Sequence, residues 1–544
     1  MFCLRLSHNL RLRIHSLFLA SLLATLPLSA LSEQPNILWI DIDDQSPWYN
    51  VYGDNTVSTP NLDALASEGV VFEHVYAANP ICGPSRSAMI TGVYPIRAGT
   101  HDMRSGRVPE YQIDLPDEIT TVPEIMREAG YETYNAHKDD YNFTYNRRDL
   151  YSFGNPPHPY SPGSRDDEAG KAGEVDANQV SKKQLMESGF TAEKAAEMLA
   201  QVDKDKGKSK VNYKGLRGGG SWRDVKQGPF FGQMSIPGGK SVSAIEKELR
   251  AIDLEPVDPA GIRVPAQYPD IPQVRQHVAD HYNSILRTDH RIGELIQQFK
   301  DEGLWGNTVF ILYSDHGSDL PRSKGYVYKE GLHVPFIIAA PDMDIIEPAT
   351  RKDLVNLMDI AATTLGLAGI EIPDFMDAKD VFADDFHREY IYSSSDRWGN
   401  VIDRTRSVIS ERFHYIRNFK LDRPLFNWGS YEMISNMRDP DGKTTSFMAM
   451  RRMAEAGELK GAQMAPYSKR VAEELYDLKN DPDEVNNLAA DPAYKKQLTK
   501  MRKALLYWIA DTDDKGQYPR SAAAMQEITD RFPAEWLNSH EFLQ

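Results

Sequence analysis

The chain has 544 residues, with 62 Lys and Arg against 79 Asp and Glu, a formal net charge of -17 and only 2 cysteines. Such acidity argues against nucleic acid as a general partner, and an anionic ligand must be drawn by a local basic cluster. With Cys3 in a leader-like segment and Cys82 alone beyond it, an internal disulfide framework is excluded.

Arg5, Arg11 and Arg13 precede an uncharged stretch over 17–28 and a small-residue exit over 29–32. Positive head, short apolar middle and small-residue exit are the features of a secretory signal peptide, read here as 1–32. The apolar stretch is shorter than the roughly 20 residues that span a bilayer. No membrane anchor is therefore expected, and the mature chain is read as exported, periplasmic or secreted. The remainder is too long for one compact domain, and two are expected, 33–396 and 397–544.

Residues 36–42, Asn-Ile-Leu-Trp-Ile-Asp-Ile, read as a buried strand that ends at Asp43 and Asp44. Thr59 and Pro60 start a helix over 61–66. A further helix is predicted from Gly83-Pro84 to Gly92, with Cys82 at its N-terminus and Arg86 one turn in. A helix N-terminus favours an anion. The polar stretch 156–226, rich in Gly, Asp and Lys, reads as an insertion over the site edge with one short helix at 191–199.

A strand over 230–236 comes next, then a long helix over 273–300 with Val278, Ile285, Ile292, Leu295 and Phe299 on its apolar face. Its His277, His281 and His290 read as structural. Strands follow over 308–314, ending in Asp315-His316, and over 334–339. Strands alternating with helices make an α/β fold with a mostly parallel sheet. Beyond 397 come short strands at 406–409, 413–416 and 474–478 and a helix at 494–511, a smaller α+β domain.

Two separate strands thus deliver acidic side chains past their carboxyl ends, where open α/β sheets bind ligands. Asp43, Asp44 and Asp315 are hard oxygen donors suited to Ca²⁺ or Mg²⁺, and His316 adds a softer nitrogen.

The run Cys82-Gly83-Pro84-Ser85-Arg86, with Thr91-Gly92 after a short apolar helix, resembles the Cys-X-Pro-Ser-Arg signature of formylglycine-dependent sulfatases. Pro35 to Asp44, Gly130-Tyr131-Glu132-Thr133 leading to Lys138, Lys324-Gly325 through Val334-Pro335, and Leu475 to Pro482 are similar to further motifs of that family. The resemblance implies an alkaline-phosphatase-like fold. It also implies that a formylglycine-generating maturation enzyme oxidises Cys82 to 3-oxoalanine, whose hydrate is the nucleophile and later collapses to release sulfate. One cation, Ca²⁺ before Mg²⁺, is then held by Asp43, Asp44, residue 82, Asp315 and His316. Arg86 steadies the hydrate, and Lys138 and Lys324 grip the sulfate.

Two departures stand out. Asp140 occupies the place of a family histidine that helps process the hydrate and reads as a weaker replacement acid/base, with His137 as its competitor. Pro237-Gly238-Gly239-Lys240 replaces an Asp-Pro-His motif, which leaves Lys240, His101 or His333 to protonate the leaving group. His101, Arg104, His333 and Arg397, with Arg97 and Arg107 nearby, are candidates for contacting acid or sulfate groups of a sugar. The activity implied is hydrolysis of sulfate esters of sulfated oligosaccharide or polysaccharide, algal fragments foremost, as in bacterial polysaccharide sulfatases. Two rivals are a phosphonate or phosphate ester hydrolase of the same superfamily and a catalytically silent receptor for sulfated glycans.

Overall fold

In the computed structural model the described residues are 34–153, 220–426 and 445–542, apart from 104, 106–110, 137, 146, 241, 243, 533, 535, 536, 538 and 539. The signal peptide, the helix at 191–199, Arg104, Arg107 and His137 lie outside them. Pro35–Gln544 forms one compact unit.

Seven strands build the main sheet: β1 (Asn36–Ile42), β2 (Gly69–Tyr76), β3 (Glu132–Asn135), β4 (Phe230–Ile236), β5 (Thr308–Ser314), β6 (Phe336–Ala339) and β7 (Ala349–Asn356). Their order is β3-β4-β1-β5-β6-β2-β7, and β6 alone runs against its neighbours. Every residue of β1 and β5 is buried, as expected for parallel strands covered on both faces. Alternate side chains of β1 feed two cores: Ile37 and Trp39 join one, Leu38, Ile40 and Ile42 the other. The long helix, Pro272–Asp301, seals the second core through Val278, Ile285, Ile292 and Phe299. The helix Cys82–Thr91 lies on the first through Ala88, Met89 and Ile90.

Four further strands, β8 (Ile391–Ser395), β9 (Thr405–Ile409), β10 (Phe413–Asn418) and β11 (Glu473–Asp477), form an antiparallel sheet in the order β11-β10-β9-β8. The helix Lys495–Asp511 packs Leu498, Met501, Leu505 and Trp508 into the same apolar core that holds Ile37 and Trp39. The smaller sheet therefore shares its interior with the larger one. It opens at Ile391, a few residues ahead of the pattern change read at 397.

β1, β4 and β5 coincide with the predicted runs. β6 starts at Phe336 and not at 334, because Pro335 has no N–H to give a ladder. β7 carried no readable signal: it is an edge strand whose first half is largely exposed, Ala-Thr-Arg-Lys-Asp.

Candidate active site

β1 and β5 end in register, with Ile42 opposite Ser314. Asp43, Asp44, Asp315 and His316 therefore leave the sheet side by side. Asp44 turns the chain with φ at 59°, and Asp140 sits at φ 51°. A non-glycine residue in this region is uncommon and marks a constrained position. The segment after β4 closes in on the same turn, where Gly239 N–H donates to the Asp43 carbonyl at 2.9 Å. A Cβ on Gly238 would lie 2.0 Å from the Asp43 carbonyl oxygen, and one on Gly239 would lie 2.3 Å from that of Asp44. No histidine side chain fits at either position. That is the physical content of the Gly-Gly departure.

Cys82 opens the helix Cys82–Thr91, which stops at Gly92 in a left-handed cap. Its Sγ lies 3.2 Å from His316 Nε2, and the same nitrogen lies 3.2 Å from Asp44 Oδ1. His316 Nδ1 donates to the Gly317 carbonyl at 2.8 Å. Nε2 thereby faces the acids, the orientation a metal-binding imidazole needs. Donor atoms of Asp44, Cys82, Asp315 and His316 all lie within 4.8 Å of one another, and all four residues are buried. Carboxylate oxygens and an imidazole nitrogen drawn this close together, with Cys82 at their edge, are a donor set that fits a divalent cation.

Basic side chains surround this acid cluster. Arg86 bonds Asp41, Asp43 and Asp315, the last through Nε at 2.9 Å. Lys138 Nζ reaches Asp43 Oδ1 at 3.0 Å and stands 3.6 Å from Asp140 and 3.7 Å from Asp315. Lys324 Nζ donates to Asp44 Oδ2 at 2.6 Å. Burial alone would raise Asp44, but Lys324 and His316 outweigh it and hold the carboxyl well below its usual range. Asp43 is also lowered: Lys138 and Arg86 overcome its burial, with Lys240 contributing. Asp41 goes the other way, pushed up to about 7 by burial that Arg86 only partly offsets. Burial pushes the Cys82 thiol up, yet Lys138 and Lys324 bring it below its ordinary value. A thiol next to cations is the reactive kind.

The structure brings Asp43, Asp44, Cys82, Arg86, Lys138, Asp315, His316 and Lys324 into one cluster. Asp140 joins from the side, its carbonyl packed on Gly83 next to Cys82. Lys240, half-buried, adds its charge to the field on Asp43 and Asp44. His101 lies half-buried with Nε2 4.0 Å from Asp102. Two expectations are corrected. His333 stacks on Tyr76 and bonds the Glu73 carbonyl at 2.8 Å, so strand β2 engages its ring. Arg397, although near Cys82 in the fold, is almost fully buried and spends its guanidinium on the Gly399 carbonyl at 2.8 Å and on Ser105 Oγ at 3.1 Å. His333 read as a site residue because it lies within a site motif, and Arg397 because a guanidinium suits an anion, but bonds to Glu73 and to Ser105 turn them inward.

Asp41 was missed. The signal was present: a charged residue inside the wholly apolar run of a buried strand rarely occurs without a partner. Ser85 was also missed, and its hydroxyl donates to the Asp315 carbonyl at 2.5 Å, tying the helix start to the second strand end.

The family model described as sulfatase matches residues 35–370. The chain belongs to the sulfatase family. It is 28% identical to an ulvan-active sulfatase of Formosa agariphila over 502 residues, 90% of this chain and 77% of that protein. It is 23% identical to the Homo sapiens N-sulphoglucosamine sulphohydrolase over 496 residues, 88% of this chain and 90% of that one. Among solved structures, a 2-O GAG sulfatase superposes with a TM-score of 0.56 at 18% identity, covering 91% of this chain and 96% of that one. That likeness speaks to the fold, which is sulfatase-like. As a sulfatase the protein is a sulfuric ester hydrolase. Among the described residues no helix is long and apolar enough to cross a membrane.

Proposed function

We propose that this sulfatase removes sulfate from a sugar at or near the end of sulfated oligosaccharides, those derived from algal polysaccharide foremost, after export from the cell. The observation that carries the chemistry is the convergence of Cys82 with Asp44, Asp315 and His316 within 4.8 Å, flanked by Lys138 and Lys324. The ulvan-active relative supports the substrate class.

Asp43, Asp44, Asp315 and His316, together with residue 82, are the donors for one divalent cation, calcium by its preference for carboxylate oxygen. When present, the cation neutralises charge around sulfur, and a formylglycine made from Cys82 supplies the nucleophilic oxygen. The chain's own side chains do the remaining work. Arg86 fixes Asp43 and Asp315 in place through charged hydrogen bonds. Lys138 and Lys324 now hold Asp43 and Asp44 and are placed to bind the non-bridging sulfate oxygens as charge develops there. With glycine enforced at 238 and 239, Lys240 is the ionisable group of that segment that can protonate the departing alkoxide. Asp140, fixed against the Cys82 helix, orients Lys138.

The test is a panel of defined sulfated oligosaccharides, with released sulfate measured and the desulfated position mapped. Release confined to terminal residues supports the assignment. Equal release along intact polymer contradicts the terminal pocket, and turnover of a simple aryl sulfate with no release from any saccharide contradicts the glycan assignment.

A further inference from the structure

Trp398 lies on the loop after β8, in the smaller sheet's half of the chain, yet it packs against Cys82, Ile81 and Met103. Its indole also rests on Gly325, beside Lys324. A Cβ on Gly325 would lie 2.6 Å from Cε3 of the ring, and Gly325 holds φ at +86°. Glycine at 325 thus serves both the turn and the close approach of the indole.

The loop that carries the ring is pinned by its backbone. The Trp398 backbone N–H donates to the Val401 carbonyl at 2.9 Å and the Trp398 carbonyl accepts from the Val401 N–H at 3.0 Å, while Met103 donates to the Arg397 carbonyl at 2.8 Å and accepts from the Gly399 N–H at 2.9 Å. A structural tryptophan behaves differently. Trp39 is 1% exposed and its indole N–H donates to Thr364 Oγ1 at 2.8 Å. Trp398 is only partly buried, its indole N–H has no acceptor among the described residues, and the indole nitrogen is not among the buried unpaired atoms. A rigid, partly exposed indole with a free donor, set between the nucleophile position and a sulfate-binding lysine, is built for a ligand with a flat apolar face and a hydroxyl rim.

From this geometry we infer that Trp398 is a substrate-binding platform on which the pyranose ring bearing the sulfate stacks, its indole N–H facing a ring hydroxyl. The inference rests on the sulfated-sugar reading above and names the residue that recognises the sugar as distinct from its sulfate. The charged cluster grips any sulfate ester; Trp398 distinguishes a sugar from an acyclic alcohol.

The experiment compares wild type, Trp398→Ala and Trp398→Phe on a sulfated oligosaccharide and on an acyclic alkyl sulfate, with thermal melting as a check on the fold. Trp398→Ala should raise KM for the saccharide roughly five- to tenfold with a much smaller change in kcat, the scale of an aromatic stacking contact. The ratio of kcat/KM between saccharide and alkyl sulfate should fall by a similar factor, and Trp398→Phe should recover most of it. Equal losses on both substrates, or an unchanged saccharide KM in Trp398→Ala, would overturn the platform. A wild-type enzyme that hydrolyses the alkyl ester but no sulfated saccharide would instead overturn the glycan reading, and this inference with it.

Discussion

Two of the buried charge clusters among the described residues bear comparison, one at the ends of β1 and β5 and one around Arg406 of β9. In the second, Arg406 is wholly buried and bonds Asp396 and Asp514, while Arg404 bonds Asp514 as well. Cations and carboxylates match there, and each pair holds loop to strand. In the first, Asp41, Asp43, Asp44, Asp140 and Asp315 face Arg86, Lys138 and Lys324. Burial leaves Asp41 at about 7 there, donor atoms of Asp44, Cys82, Asp315 and His316 converge within 4.8 Å, and Asp44 and Asp140 hold left-handed backbone. The second cluster is a staple; the first gathers metal-ligating donors at one point. Buried charge of itself says little about function. The kind of donor and its convergence do.

The largest expected effect lies in the cluster at the ends of β1 and β5. Asp44→Asn and Asp315→Asn should each abolish turnover and lose the bound divalent cation together, as read by sulfate release and elemental analysis. In chelated protein Asp44→Asn should also lower the melting temperature, because Lys324 loses the carboxylate it bonds and Asp44 is held well below its usual range by that pairing. An unchanged melting temperature would mean that the pairing adds nothing to the fold.

Asp514→Ala should act on stability alone. Leaving Arg406 and Arg404 without their carboxylate should cost about 3–5 kcal/mol of stability, the scale for breaking a buried pair, measured by urea unfolding. Sulfate release by the protein that remains folded should match wild type. A loss of kcat without a loss of stability would merge the two clusters into one functional unit.

Lys324→Ala tests the cationic side of the site. If the ammonium stabilises developing charge, kcat/KM should drop by roughly 10²-fold; an unchanged value would place Lys324 outside the reaction.

How much of this was legible follows from where each residue stands. Asp43, Asp44 and Asp315 were readable because each ends an apolar run, and the register of a parallel sheet does the rest. Cys82 and Arg86 were readable through the Cys-X-Pro-Ser-Arg resemblance, with one short helix and its stop at Gly92 in support. Asp41 was hidden by its strand, since its role depends on Arg86 reaching it from 45 positions along the chain. Trp398 was hidden because only the pairing of Met103 with Trp398, two distant loops, carries it to Cys82. His333 was placed wrongly for the mirror-image reason. Its neighbours in sequence belong to the site, while its ring belongs to β2.

That ring gives the smallest prediction. Burial holds His333 at about 3 and His281 at about 4, below the ordinary 6.5. Both stay neutral in the folded protein, whereas the unfolded chain takes up protons below pH 6.5. Their contribution to stability is complete above that pH and is lost as the pH falls toward 4 and then 3. His333→Gln should therefore flatten the decline of unfolding free energy between pH 6.5 and 5.5 by about 1 kcal/mol, seen in urea titrations. An unchanged slope would mean that the histidine is protonated in the folded state.

The most direct test of the central claim is the mass of the peptide carrying residue 82, taken from enzyme that is releasing sulfate. The account predicts an aldehyde in place of the thiol at that position. An intact Cys82 thiol throughout a fully active preparation would contradict it.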